Sequence, residues 1–101
     1  MTSQLIATDG DTEYQDCAHI PCVGDGTYNI PSTLQGFVYI NNKKIIVNSQ
    51  EFSAHGTATT VPSTALLYIN GMAVVRDGDT VDHHHDNTGV DVGNQSFVCS
   101  E

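Results

Sequence analysis

Apolar residues in this chain come in short bursts broken by Gly, Pro, Asn and Asp, and nowhere do they recur at i, i+3, i+4 and i+7 between a starting cap and a stopping residue. That pattern predicts strands and little or no helix. The clearest bursts are Gly36-Phe37-Val38-Tyr39-Ile40-Asn41-Asn42 and Ala65-Leu66-Leu67-Tyr68-Ile69-Asn70-Gly71. Each ends on residue types that tolerate positive φ, as a two-residue hairpin loop requires, so each strand is expected to fold back on a partner. The expected partners are Lys44 to Val47 and Ala73 to Arg76, rich in β-branched residues that favour a pleated surface.

The same phrases recur at a period of about 30 residues, the mark of one supersecondary unit used repeatedly. Asp9-Gly10-Asp11-Thr12 returns as Asp77-Gly78-Asp79-Thr80, and Ile30-Pro31-Ser32-Thr33 returns as Val61-Pro62-Ser63-Thr64. A third copy of the apolar burst, Val92-Gly93-Asn94-Gln95-Ser96-Phe97-Val98-Cys99, stops before its own hairpin turn. The expectation is an all-β single domain of three β-hairpin repeats, spanning 9–47, 48–76 and 77–101, about a pseudo-threefold axis. A generic small β-barrel, which also alternates strands with turns, is the plainer alternative. The bursts at 37–40, 66–69 and 96–98 could form either an exposed base or ordinary core.

Length and charge narrow the function. A chain of 101 residues has room for one domain with little spare core. Asp and Glu number 12 against 3 Lys plus Arg, giving a formal charge of -9 that reflects scarce bases rather than an acidic tract. With only Lys43-Lys44 and the separate Arg76, no phosphate-binding surface is expected, and hence no nucleic acid partner. No apolar run reaches membrane-spanning length, and Met1 to Thr12 lacks the basic start and apolar stretch of an export signal, so synthesis in the cytoplasm without a signal peptide is expected. Three cysteines, Cys17, Cys22 and Cys99, cannot form a full disulfide framework. Reduced thiols are expected, although one bridge such as Cys17 to Cys99 is open; Cys17 and Cys99 could also be buried small apolar groups.

Five histidines are the outlier of the composition. His19 falls in the first unit, His55 in the second, and His83, His84 and His85 in the third, each between the Asp-Gly-Asp-Thr position and the Pro-Ser-Thr position. A threefold arrangement would bring equivalent positions to the axis, where several imidazoles make a site for a transition metal. Cys22, three residues after His19, could add a thiolate. The candidate ligands are therefore His19, Cys22, His55, His83 and His85, with structural Zn²⁺ as the expected ion and iron favoured if imidazoles alone bind. In an extended stretch His83 and His85 share one side and His84 takes the other, so at most two of the three would face the axis. Counting forward from the hairpin matches His55 with His84, and counting backward matches it with Asp86, so the register stays open.

These phrases resemble the PAAR-repeat family. Leu67-Tyr68-Ile69-Asn70-Gly71-Met72-Ala73-Val74-Val75-Arg76-Asp77-Gly78-Asp79 keeps that family's Ile-Asn-Gly hairpin, its Arg and its Gly-Asp, and His55-Gly56 is similar to its His-Gly pair. The chain departs at the name-giving positions, where Ala73-Val74-Val75-Arg76 replaces Pro-Ala-Ala-Arg. Its brevity is most similar to the minimal spike-tip proteins of T-even-type phage tails. The resemblance implies a small cone, stiffened by metal, that caps a trimeric β-helical spike of a contractile injection machine, one cap per trimer. It also implies placement at a virion tail tip or secretion with an injection apparatus, and transient contact with a target outer membrane. No small-molecule substrate and no catalysis are expected. A metalloenzyme built on Asp82, His83, His85 and Asp86, and a stand-alone metal-binding β module, are the competing readings.

Overall fold

The computed structural model describes residues 4–16, 26–54, 56–61, 67–82 and 86–100. The protein is all-β, and no helix occurs among the described residues. Its strands are short: β1 (Gln4–Leu5), β2 (Thr12–Asp16), β3 (Gly26–Asn29), β4 (Tyr39–Ile40), β5 (Lys43–Lys44), β6 (Glu51–Ala54), β7 (Gly56–Val61), β8 (Tyr68–Ile69), β9 (Met72–Ala73), β10 (Thr80–Asp82), β11 (Asp86–Asp91) and β12 (Cys99–Ser100).

Two three-stranded antiparallel sheets, β11-β2-β3 and β10-β7-β6, form one half. β3 lies beside β6 and β10 beside β11, so the two sheets meet along both edges. The other half consists of three two-stranded pairs, β4-β5, β8-β9 and β1-β12. The first two are the expected hairpins: Asn41 and Asn42 take φ of 56° and 66°, and Asn70 and Gly71 take 54° and 80°. Their return strands are shorter than expected, because Ile45 to Val47 and Val74 to Arg76 leave the hairpin to bridge other parts of the chain. The third burst also finds a partner. Cys99 pairs with Leu5 and Ser100 with Gln4, so the N-terminal strand occupies the place that a hairpin return would take.

Between the halves the backbone bonds recur in threes. Ala7 N donates to Val75 O at 2.9 Å, Val75 N to Ile46 O at 2.9 Å, and Ile46 N to Ala7 O at 3.0 Å, closing a cycle. The bridges Ile6↔Arg76, Thr8↔Ile45 and Val47↔Val74 follow the same rotation. So do the next bonds outward: Asp9 N to Lys44 O, Asn48 N to Ala73 O and Asp77 N to Leu5 O, each 2.8 Å. Two apolar clusters lie on either side of this belt. One joins Ala7, Ile46 and Val75 to Ile30, Phe52, Ala58, Val81 and Val90. The other gathers Ile6, Ile45, Val47, Ile69 and Val74. Apolar side chains at matching places therefore meet from segments far apart in sequence, and that shared burial stabilises strands too short to persist alone.

Candidate functional site

The belt turns at 9–11, 48–50 and 77–79 aim the chain from one half into the other. Gly10 and Gly78 hold positive φ of 91° and 84°, and Ser49 takes 70° at the equivalent place. Asp11 Oδ2 accepts from Thr8 N at 2.8 Å and Asp79 Oδ2 from Arg76 N at 2.7 Å, so each carboxylate closes its own turn. Gln50 stands where these aspartates do in the middle copy. There Thr60 Oγ1 takes over, accepting from Gln50 N at 2.9 Å and donating to Val47 O at 2.9 Å.

From the belt the strands run to a single end. β2 is antiparallel to both β3 and β11, which places its last residue, Asp16, level with the first residues of those strands. β7 is antiparallel to β6 and β10, which places Gly56 level with Ala54, while Asp82 at the end of β10 pairs with Thr59, three residues further along β7. Only three residues separate Asp82 from Asp86. These strand ends thus lie on one side of the belt, and the sequence connecting them carries every histidine and both Cys17 and Cys22.

The proposed ligands His19, Cys22, His55, His83 and His85 lie outside the described residues, as do Cys17 and His84. Among the described residues no group of three or more His, Cys, Asp or Glu is placed to hold a metal. A shallow surface pocket bordered by Tyr14, Asp77, Gly89 and Asp91 lies on the flank of the β11-β2 sheet. Cys99 is a free thiol and is exposed, in contrast to the buried place considered for it, because it sits on the two-residue β1-β12 pair at the surface.

At the opposite pole the bursts read as either base or core are largely exposed. Phe97 is 85% and Phe37 76% accessible, and Val38, Tyr39, Leu67, Tyr68 and Val98 are also exposed. Among the described residues of these stretches, only Ile40 and Ile69 pack inward. The exposure is held in place by two buried glutamines. Gln35 Nε2 donates to Val38 O at 2.9 Å and Ile45 O at 3.0 Å, and its Oε1 accepts from Phe37 N and Val38 N at 2.8 and 3.0 Å. Gln95 makes the same set with Val98 O, Ile6 O, Phe97 N and Val98 N. Each amide is fully used in turning a short loop, and the loop holds its phenylalanine away from the core. The Gln-x-Phe-Val spacing at 35–38 and 95–98 was the sequence signal for this pair.

A scan against protein-family models and searches of curated proteins and of solved structures match nothing to this chain.

Proposed function

We propose that this protein is a non-catalytic spike tip, which caps the end of a trimeric β-helix in a contractile injection machine such as a phage tail and is stiffened by a structural metal. The observation that carries the reading is the threefold recurrence of the belt bonds, with an exposed aromatic pole on one side of the belt and, on the other, strand ends whose connecting sequence carries every histidine. A trimeric β-helix ends in three open strand edges, and exposed edges invite aggregation until covered. A single chain with three near-equivalent strand pairs can meet all three at once by strand addition. Large exposed aromatic side chains suit that contact, since an apolar patch of this kind marks an interaction surface.

Imidazoles from His19, His55, His83 and His85 with the Cys22 thiolate are a donor set that suits Zn²⁺, and iron suits imidazoles without the thiolate. The ion would tie three chain reversals together where strands of only a few residues converge, as a piercing apex requires. Made in the cytoplasm, the protein would act at the virion tail tip or be secreted with the apparatus, meeting the target outer membrane transiently.

Mixing the purified chain with a trimeric β-helix fragment and weighing the complex by native mass spectrometry tests the cap. One copy of this chain per three β-helix chains supports it. Failure to bind, with metal retained, favours a stand-alone metal-binding module. Metal held by three protein ligands and a water would reopen catalysis.

A further inference from the structure

The charges of the described residues are sorted by pole. Every described Asp and Glu lies in 9–16, 48–61, 77–82 or 86–91, that is, in the belt turns and the strands beyond them. The segments on the aromatic side of the belt, 4–8, 31–47, 67–76 and 92–100, contain no carboxylate and all three bases of the chain, Lys43, Lys44 and Arg76. Arg76 is buried, with its Nη2 3.7 Å from Asp79 Oδ1 and its Nη1 3.5 Å from Ser100 O, so its charge is directed inward. The outward charge is that of Lys43, which is exposed, and of the half-buried Lys44 beside it on β5.

The two related strand pairs carry no charge at the matching place. Lys43 pairs with Ile40 as Met72 pairs with Ile69 and as Gln4 pairs with Ser100. Among the described residues the aromatic pole is therefore an apolar face with one cationic corner. Covering it with a purely apolar partner would strip water from that corner and leave an ammonium uncompensated, which is costly. A second copy docked pole to pole would supply no described carboxylate.

We infer that the surface received by this pole bears carboxylates at its rim, and that Lys43 pairs with one of them. The inference rests on the capping reading: on a homotrimer the acidic group would occur three times, and this chain would engage it with charge at one position only. The contact would act chiefly on the association rate and on register, as rim charges do.

The test uses two immobilised trimeric β-helix fragments that differ only in a ring of Asp or of Asn at the open end. Association rates are read at roughly 0.02 M and about 0.5 M salt, where screening is weak and strong. On the Asp ring the wild-type chain should associate about three- to tenfold faster than Lys43→Gln at low salt, with the difference lost at high salt; the formal charge of -9 slows both chains nearly alike and drops out of the comparison. On the Asn ring the two chains should associate at the same rate. Gln4→Lys, which places a second base at an equivalent position, should associate with the Asp ring faster than wild type. Equal rates of wild type and Lys43→Gln on the Asp ring overturn the ionic contact alone. Absence of binding to either ring overturns the capping reading and this refinement with it.

Discussion

Asp11 binds more of the molecule together than its size suggests. Besides closing its own turn, its Oδ1 accepts from Gly93 N at 2.8 Å and Asn94 N at 3.0 Å, more than eighty residues away. Asp77, the counterpart of Asp9 in the second appearance of the phrase, takes one bond of shorter range, from Val92 N at 3.0 Å. Leaving a buried donor without its acceptor costs about 1–3 kcal/mol. Asp11→Ala is therefore expected to lower stability by about 3–5 kcal/mol and Asp77→Ala by about 1, an ordering that urea melts with unchanged slope would establish. Ser49 offers the opposite case. It holds a left-handed φ of 70° where both related turns have glycine. Ser49→Gly removes that steric cost against a smaller entropic loss, so a gain of about 0.5–1 kcal/mol is expected in the same assay. The repeated Asp-Gly-Asp-Thr phrase was legible from residue types alone. The role of Thr60 was not, because its hydroxyl compensates for Gln50, and that substitution matters only once both meet across the turn.

Among the elements, the hairpins at Asn41-Asn42 and Asn70-Gly71 could be read directly, since positive φ at two successive positions restricts the residue types. The β1-β12 pair could not. Its strands lie at opposite ends of the sequence, and Gln4-Leu5 carries neither a turn signal nor a long apolar run. Truncation tests the pair locally. Removing residues 1–5 takes away β1 and the Leu5 carbonyl that accepts from Asp77 N. Hydrogen exchange should then accelerate at Cys99 and Ser100 and at Asp77, while amides bonded across β4-β5 stay protected. Uniform acceleration throughout would mean that the three pairs melt as one unit rather than by local opening. The exposed stretches at 37–39 and 97–98 illustrate a further limit of pattern reading. A run of apolar residues signals burial, yet buried Gln35 and Gln95 hold the preceding loops so that Phe37 and Phe97 face outward.

For the molecule as a whole, the proposed metal has the largest expected effect. A structural Zn²⁺ site can supply on the order of 10 kcal/mol of apparent folding free energy, comparable with the stability of a domain this small. Thorough chelation is expected to lower Tm by more than about 20 °C, and zinc readdition to restore it. His55→Ala should reproduce most of that loss without chelator. Calorimetry showing the same Tm with and without metal would falsify the stiffening role while leaving the β architecture untouched. The histidine repetition was plain in the sequence, but His83, His84 and His85 are adjacent, and counting from the two flanking strands matches His55 with either His84 or Asp86.

Because Gln4–Leu5 is stitched to Cys99–Ser100, the backbone traces what is topologically a ring with one cut. Moving the cut should then be tolerated: a circular permutant opened between Asn42 and Lys43, with the original ends joined by a short linker, is expected to fold to the same structure. The folding rate should respond more than the stability, because the permutation makes the β1-β12 contact local and the β4-β5 contact distant, exchanging one slow closure for another.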